Sequence, residues 1–490
     1  MSWWHYFILI IYAFCLSFVF LYSLSQFLLF LKAHKATSKH KSEPQLTHFP
    51  KVCIQLPIYN EGEIVERLLN NISKIDYPKD ALEIQVLDDS TDDSLSINKQ
   101  LVEDLQKNGI PIQHIHRKKR TAFKAGALKH GLELTEAEFV AVFDADFMPG
   151  SKWLKQTLAY FENPEVGVVQ TRWGHLNKNY SLITKVQALA LDFHFWVEQV
   201  GRNVGQHFIN FNGTAGIWRK SCIEDAGNWK GDTLTEDLDL SYRAQLKNWK
   251  IHYLNHVITP AEIPIEMNAA RSQQFRWNKG AAENFRLNYT QVRKAPHLKT
   301  STKIHAFFHL LNSSMFFVIL LLAILSFPVL YIKHEFPSSI YFFYGFAVLG
   351  LSTILYMMGY AFTYFKQNKL GLKSALQFLI QFFSFFALAM GLSVSNSKAI
   401  LEGHRGKKSG FIRTPKFNVF DQTKKPKKPS IPPSLNFVNA VEIALFLYFI
   451  FAVGYAFYVV DFALLPFHLM LVFGFGYVTL STWQPKFFQK

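Results

Sequence analysis

Six stretches of the sequence contain no Asp, Glu, Lys or Arg, and they flank a polar middle from both sides. They are residues 1–31, 306–332, 338–365, 374–397, 443–460 and 462–484. The first is longer than the roughly 20 residues that cross a bilayer. It is also too long for the core of a signal peptide and lacks a basic start, so we predict a retained transmembrane helix. The pattern indicates a multi-pass integral membrane protein.

The lysines beside these stretches predict an orientation. Four of them follow the first stretch, at positions 32, 35, 39 and 41. By the positive-inside rule, the N-terminus lies outside and the soluble middle lies in the cytoplasm. Three more follow the third stretch, at positions 366, 369 and 373. They place that loop in the cytoplasm as well, so the second and third stretches form a hairpin through the membrane.

The fourth stretch, 374–397, creates a parity problem. The basic segment 405–428 is also expected in the cytoplasm, and an even number of crossings must separate it from the soluble domain. Polar side chains such as Gln377 and Gln381 fit a partly polar environment. We therefore expect this stretch to be re-entrant, interfacial or packed against protein. The alternative is that another boundary is misplaced.

The net charge of +16 first suggests a polyanionic partner: nucleic acid, an anionic membrane surface or a phosphate-bearing substrate. The segment 405–428 holds nine Lys or Arg against one Asp. Because the basic residues lie beside membrane segments and no nucleic-acid-binding motif is found, we expect a lipid bilayer and no nucleic acid as partner.

The polar middle alternates short β-rich runs with helical periodicity. The β-rich runs are 52–56, 83–87, 139–143 and 166–170, and helical stretches such as 64–72 and 95–107 separate them. This alternation predicts an α/β domain with a largely parallel, doubly wound sheet. Ligands of such sheets bind at the carboxyl ends of the strands.

Acidic residues follow two of these runs. Asp88 and Asp89 end one, and Asp144 and Asp146 end the buried run Phe139–Phe143. Paired acids at a strand end are also common turn residues, so each pair taken alone fits a structural role in a turn as well as a role in ligand binding. Two carboxylates completed by a diphosphate and water suit Mg²⁺ or Mn²⁺. Three widely separated cysteines exclude thiolate–metal chemistry as the organising theme.

Two further clusters lie downstream. The acids of 232–239 open a helix, where they serve either as N-terminal capping residues or, for one Asp, as a general base. In 273–277, Gln273, Arg276 and Trp277 share one helical face. A membrane-interface helix also favours Arg and Trp, but the set equally suits a sugar ring and a pyrophosphate.

Taken in order, these clusters resemble the signature of membrane-integrated family 2 glycosyltransferases, such as cellulose synthase and the cellulose-synthase-like glucomannan and glucan synthases. The signature appears as Asp88/Asp89, Asp144/Asp146, Thr235/Glu236/Asp237 and Gln273/Arg276/Trp277. The resemblance implies a GT-A-like, nucleotide-sugar-binding domain with a mostly parallel sheet, inserted between transmembrane α-helices.

For the donor, the resemblance implies that Asp88 or Asp89 holds the nucleobase. It implies that Asp144 and Asp146 hold the diphosphate through Mg²⁺ or Mn²⁺. The further residues that it assigns to the nucleotide sugar are Lys124, Gln273, Arg276, Thr414 and Lys416.

For the acceptor, the resemblance implies that Asp237 is the catalytic base and that Trp277 lies under the acceptor sugar. The other residues assigned near the acceptor are Gly213, Thr214 and Glu236. The segment 211–216 resembles the family's glycine-bearing loop, although a plain β-turn explains it almost as well.

The segment Phe411-Ile-Arg413-Thr414-Pro-Lys416 resembles the gating loop of processive synthases, whose family form is Phe-x-Val-Thr-x-Lys. Arg413 departs from the Val of cellulose synthase, which weakens a match to that enzyme in particular. A mobile basic loop can close on a nucleotide diphosphate and reopen to release it.

These arguments predict six regions. They are a transmembrane helix (1–32), the cytoplasmic glycosyltransferase domain (48–262), an amphipathic interface region (263–303), transmembrane or re-entrant helices (304–398), a basic gating loop (399–436) and a transmembrane hairpin (437–485). The N-terminus is expected outside and the catalytic domain in the cytoplasm.

We expect an inverting, processive transferase that moves a sugar from UDP-glucose or GDP-mannose onto a growing β-glycan. A non-processive enzyme that makes a glycolipid, similar to ceramide glucosyltransferase, is the main alternative. A channel or transporter predicts ionisable groups within the spans, but the uncharged stretches offer only histidines such as His309 and His468. The sugar and its linkage stay open.

Overall fold

The computed structural model describes residues 1–36, 44–410, 413–418 and 436–483, apart from the side chain of Glu63. Seven strands form one sheet in the order β3-β2-β1-β4-β6-β5-β7. They are β1 (Val52–Ile58), β2 (Leu82–Asp88), β3 (Ile112–His116), β4 (Phe139–Val142), β5 (Val166–His175), β6 (Gly216–Arg219) and β7 (Lys250–Ala261). The four predicted β-rich runs fall on β1, β2, β4 and β5.

The sheet is mostly parallel, as predicted. Strand β1 pairs in parallel with β2 and β4, and β5 pairs in parallel with β7. Strand β6 is antiparallel to both of its neighbours, β4 and β5. Nearly all residues of β1 and β4 are buried, because helices cover both faces of the sheet.

Eighteen α-helices are found in the described residues. They are α1 (Trp3–Ala36), α2 (Gly62–Ile72), α3 (Ser94–Lys107), α4 (Phe123–Glu133), α5 (Trp153–Leu158), α6 (Leu182–Phe193), α7 (Val200–Gly205), α8 (Lys220–Asp225), α9 (Glu236–Leu246), α10 (Met267–Lys294), α11 (Thr300–Leu310), α12 (Met315–Glu335), α13 (Ile340–Phe346), α14 (Leu351–Gln367), α15 (Leu372–Gly391), α16 (Ser393–His404), α17 (Phe437–Tyr458) and α18 (Leu465–Trp483). A π-helix, His194–Gln199, joins α6 to α7.

Six helical segments of the described chain are long and apolar enough to cross a membrane, which supports an integral membrane protein. They are Trp3–Ala36, Asn312–Glu335, Pro337–Gln367, Leu372–Gly391, Phe437–Tyr458 and Leu465–Trp483. The uncharged stretch 306–332 is divided, since α11 ends at Leu310 and a short 3₁₀ turn precedes α12.

Helix α15 packs along a helix of the sheet domain. Its first half shares a buried cluster with Leu189 and Phe193 of α6. Its second half, through Leu388, joins Ile183 and Val186 from the start of α6. Helix α16 follows directly and packs against α10. Both halves of α15 therefore contact the sheet domain, and α15 also packs against α18.

Helix α10 connects the sheet domain to the last two helices. Arg271 donates to Glu442 at 2.8 Å and to Asn439 at 2.7 Å in α17, and to Thr482 at 3.1 Å in α18. Glu442 is 1% exposed, so this ion pair is buried. Helix α17 begins six residues before the uncharged stretch 443–460, so it includes the carboxylate of Glu442, which lies just outside that stretch.

Candidate active site

The carboxyl ends of β1, β2 and β4 open into a cavity of about 200 Å³. All but two of the predicted site residues line it: Asp89, Lys124, Asp144, Asp146, Gly213, Glu236, Asp237, Gln273, Arg276, Trp277, Thr414 and Lys416. The exceptions are Asp88 and Thr214. The cavity lies where ligands bind in sheets of this kind, and we call it the catalytic pocket.

Asp88 lies behind the pocket and is fully buried. Its carboxylate accepts hydrogen bonds from the Ser90 backbone N–H at 2.8 Å and the Asn98 amide at 2.9 Å, and it lies 3.0 Å from His114 Nε2. Burial opposes the charged form, but these hydrogen bonds outweigh it and lower the pKa of Asp88. The Asp88 carboxylate is therefore held by protein partners and does not line the pocket, in contrast to Asp89.

Asp89 faces the pocket beside a basic cluster that the sequence reasoning missed. Arg117 donates to both of its carboxylate oxygens, at 2.8 and 2.5 Å. The guanidinium of Arg120 lies 4.0 Å from Asp89 and 3.5 Å from the centre of the Tyr59 ring. The run of four basic residues at 117–120 was the available signal. A planar cation stacked on an aromatic ring offers a nucleobase a flat surface.

Thr214 also lies behind the pocket. Its Oγ1 accepts from the backbone N–H of Asp144 at 2.9 Å, so it holds the end of β4 and does not line the pocket. The neighbouring Gly213 has a φ of +80°, and a Cβ there would come within 3.1 Å of Asp237 Oδ2. Glycine is thus needed both for this turn and for the approach of the carboxylate.

Lys124 links the two carboxylate motifs. Its Nζ donates to Asp144 at 2.5 Å and to the Gly213 carbonyl at 2.9 Å. Burial disfavours the ammonium ion, but the charges of Asp144, Glu236 and Asp237 outweigh it and raise the pKa of Lys124. This lysine is therefore a fixed positive charge at the centre of the pocket.

Glu236 and Asp237 occupy the first turn of α9 and face the pocket together. Burial and the neighbouring charge of Glu236 raise the pKa of Asp237 to about 7. Burial also raises the pKa of Glu236. A carboxyl group with a pKa near neutrality suits general-base work, because a substantial fraction is ionised near pH 7 and the carboxylate is basic enough to take a proton.

Helix α10 fixes the start of α9. The side chain of Thr235, at the N-cap position, makes no capping bond; its Oγ1 accepts from Asn284 Nδ2 at 3.0 Å. Asn288 donates to Asp239 at 3.1 Å and to Asn284 at 2.9 Å. At Gly280 a Cβ would lie 2.4 Å from Thr235 Oγ1, so the two helices approach as closely as a glycine permits.

Residues 413–418 contribute Arg413, Thr414 and Lys416 to the lining of the pocket. Lys416 forms ion pairs with Asp146 and, at 3.6 Å, with Glu61. Arg413 lies 3.4 Å from Glu61, and Arg276 donates to Thr414 Oγ1 at 3.2 Å. The charges of Asp146 and Glu61 overcome burial and raise the pKa of Lys416. Phe411 and Ile412 of the predicted gating loop lie outside the described residues.

The sequence analysis also missed a group of hydrogen-bonded side chains on the π-helix. His194 Nδ1 lies 2.7 Å from Glu198, and its Nε2 lies 3.0 Å from the amide nitrogen of Asn212. Gln199 donates to Asn212 Oδ1 at 2.7 Å. Asn212 lines the pocket next to Gly213. π-Helices recur at functional sites, and here the wider turn brings His194 and Gln199 to one side chain.

Asp144 and Asp146 fit a divalent cation. Both line the pocket, and each now pairs with a lysine ammonium, so the surroundings already favour a positive charge against each carboxylate. Among the residues that the structure describes, no group of three or more His, Cys, Asp or Glu side chains could hold a metal ion. Two carboxylates completed by phosphate oxygens and water are a usual set for Mg²⁺ or Mn²⁺.

The mostly parallel seven-stranded sheet, with a pocket at the carboxyl ends of its strands, is a fold of the GT-A-like class. Residues 50–280 match the family described as "Glycosyltransferase like family 2", and this segment is a domain of that family. The predicted family and fold class are thereby confirmed.

Curated relatives carry names of one activity. The chain is 41% identical over 278 residues to a probable glucomannan 4-beta-mannosyltransferase 4 of Oryza sativa subsp. japonica, covering 55% of this chain and 49% of that protein. It is 41% identical over 271 residues to glucomannan 4-beta-mannosyltransferase 1 of Cyamopsis tetragonoloba, covering 53% and 51%. The matched part spans about half the length of these relatives.

A solved structure shares the fold. It is a mannosyltransferase from Pyrobaculum calidifontis in complex with GDP-Man and Mn²⁺, 18% identical to this chain with a TM-score of 0.54. The match covers 80% of this chain and 99% of that one. At this level of identity the likeness concerns the fold.

Proposed function

We propose that the protein is an inverting glycosyltransferase that moves mannose from GDP-mannose onto a β-glycan at the membrane. One observation carries this proposal: a single pocket holds the Asp237 carboxylate, with its raised pKa, opposite the cations Lys124, Arg276 and Lys416. A proton acceptor facing a cationic diphosphate site is what a single displacement at a sugar carbon needs. The names of the relatives support mannose over glucose.

The division of labour follows from the positions of the side chains. Asp237 takes the proton of the acceptor hydroxyl as that oxygen attacks the sugar carbon. Lys124, Arg276 and Lys416 bind the diphosphate and stabilise its charge as the bond to the sugar breaks. Trp277 and Gln273 line the same wall, where an indole ring supports the acceptor sugar. A single displacement forms no covalent sugar–enzyme intermediate.

A divalent cation held by Asp144 and Asp146 would supply further positive charge to the departing diphosphate. Residues 413–418 shield the pocket from water, and the loop has to move for the product nucleotide to leave.

The proposed topology has five crossings. We place α15 at the interface because an even number of crossings must separate the sheet domain from residues 413–418 if both are cytoplasmic. Helix α15 packs against α6 of the sheet domain on one side and against α18 on another, so much of it faces protein. With α15 excluded, the sheet domain and residues 413–418 lie on the same side of the membrane. The positive-inside rule makes that side the cytoplasm.

The test is a donor and product screen on the purified full chain. Released nucleoside diphosphate is measured with GDP-mannose, UDP-glucose and other nucleotide sugars in the presence of Mg²⁺ or Mn²⁺. We expect GDP-mannose to be used and the label to enter a polymer that β-mannanase digests. Label confined to an organic-soluble lipid would mean the glycolipid alternative, and a preference for UDP-glucose would reject the proposed donor.

A further inference from the structure

A second cavity, of about 300 Å³, lies between α6 and the junction of α14 with α15. Two lysines, Lys178 and Lys185, line it together with five Asn or Gln side chains. An aliphatic wall, which includes Leu182 and Ile380, faces them. The cavity shares no lining residue with the catalytic pocket. Its walls thus offer positive charge, hydrogen bonds and an apolar surface side by side.

The cavity lining carries two lysines and one carboxylate, Asp192, which interacts electrostatically with Lys178 and leaves the lining with a net positive charge. In the described ranges, no carboxylate oxygen lies within 4.0 Å of the ammonium group of Lys178 or of Lys185. The cavity's carboxylate, Asp192, is held by His175 at 3.1 Å and by Gln367 at 2.9 Å. The two lysines are therefore available to an anion.

The cavity lies where an apolar helix ends. The candidate span 337–367 stops at its rim, and α15 begins five residues later. Next to the cavity, α15 turns Leu376, Leu379 and Ile380 outwards, with 59%, 39% and 56% of their surface exposed. A ligand whose polar part enters the cavity would keep an apolar part against these side chains. This combination is found in membrane lipids.

We propose that the cavity binds the headgroup of an anionic phospholipid, with Lys178 and Lys185 on the phosphate. The Asn and Gln side chains meet the hydroxyl or ester oxygens of the headgroup, and the acyl chains run along the aliphatic wall. This site goes beyond the proposed transferase activity. Basic cavities between membrane helices on the cytoplasmic side are suited to such headgroups.

A hydrogen-bond chain connects this cavity to the catalytic pocket. Lys178 lies 3.5 Å from Gln367 Oε1, and Gln367 donates to Asp192. Asp192 in turn holds His175, which lines the catalytic pocket. An anion that draws Lys178 away from Gln367 breaks the first hydrogen bond of this series. Lipid binding is therefore able to influence the pocket without entering it.

The experiment measures lipid binding to the detergent-solubilised full chain by native mass spectrometry, with short-chain phosphatidylglycerol and phosphatidylcholine as probes. We expect Lys178→Gln/Lys185→Gln to bind phosphatidylglycerol at least about tenfold more weakly, since this variant loses both charge-assisted hydrogen bonds to the phosphate. The matched control is Lys366→Gln/Lys373→Gln, which removes two exposed lysines beside the cavity that do not line it. It should bind within about twofold of wild type, and Lys178→Arg/Lys185→Arg should retain binding.

Each other outcome rejects the proposal. Equal losses in the two glutamine variants would mean general attraction to anionic lipid and no site. Displacement of phosphatidylglycerol by inorganic phosphate alone would make free phosphate the ligand. Displacement by a manno-oligosaccharide would make the cavity a glycan site. Because the readout is binding, a failed donor screen leaves this test intact.

Discussion

Two sets of carboxylates in the sheet domain differ in what they face. Asp144, Asp146 and Asp237 line the catalytic pocket, where their protein partners are lysines or a neighbouring acid. Asp88 and Asp239 lie behind it and bind Asn, His, Arg and backbone donors. The first set is arranged for a ligand and the second for the fold. Substitutions should therefore separate activity from stability.

The largest expected effect is on the pocket-facing set. Asp237→Asn removes the proton acceptor, so we expect the transfer rate to fall by about 10² to 10⁴ with little change in melting temperature. The matched variant is Asp239→Asn, two residues further along α9. Asp239 pairs with Arg243 at 2.7 Å, so this variant should lose about 3 kcal/mol of stability. Near wild-type transfer by Asp237→Asn would reject the base assignment.

The second prediction concerns how helix α10, behind the pocket, positions the first turn of α9. Gly280→Ala places a Cβ against Thr235 and pushes the first turn of α9. A displacement of about 1 Å costs up to roughly 10² in rate, so we expect kcat to fall while donor KM changes little. Gly150→Ala, where a Cβ meets nothing within 4 Å, is the control for kcat measurements. Equal kcat values would show that the close contact has no role in positioning.

A smaller effect is expected at Asp88, on stability alone. Asp88→Asn replaces an acceptor oxygen with a donor, which should cost about 2 kcal/mol in urea unfolding at pH 7. Because the folded-state pKa of Asp88 is lowered, its contribution is present above the unfolded pKa and is lost as pH falls through the folded pKa. The difference from wild type should therefore shrink in acid. The exposed Asp93→Asn is the control, and a constant difference would contradict this account.

The smallest effect is a shift in pH dependence. Activity should rise with pH through the pKa of Asp237, about 7, because only the carboxylate takes a proton. Glu236→Gln removes a negative charge that raises this pKa, so the acidic limb of kcat/KM should move to lower pH. Glu236→Asp keeps the charge and should leave the limb in place. A limb that does not move in Glu236→Gln would assign it to another group.

Much of the fold was predictable because it depends on local pattern. The β-rich runs at 52–56 and 139–143 became β1 and β4, since buried parallel strands read as continuous apolar segments. The antiparallel strand β6, only four residues long, gave no such signal. Its place between β4 and β5 depends on hydrogen bonds to strands that are distant in the sequence.

The candidate site was predictable in outline from four ordered motifs. The roles of Asp88 and Asp89 could not be separated, because adjacent residues of a strand end point in opposite directions and the partners of Asp88 come from α3 and β3. The same holds for Thr214 beside Gly213. Arg117, Arg120 and the π-helix residue His194 were missed, because the pocket residues that they contact are distant in the sequence: Asp89, Tyr59 and Asn212.

The sequence by itself determined the uncharged stretches, the alternating sheet domain and the set of residues that can do the chemistry. Periodicity and charge are local properties, and a chain carries them before it folds. The tertiary structure decided which acids face the pocket, that α15 lies along α6, and that Lys178 and Lys185 share a cavity with the end of α14. These depend on burial and on hydrogen bonds between residues far apart in the chain, and only packing brings such residues together.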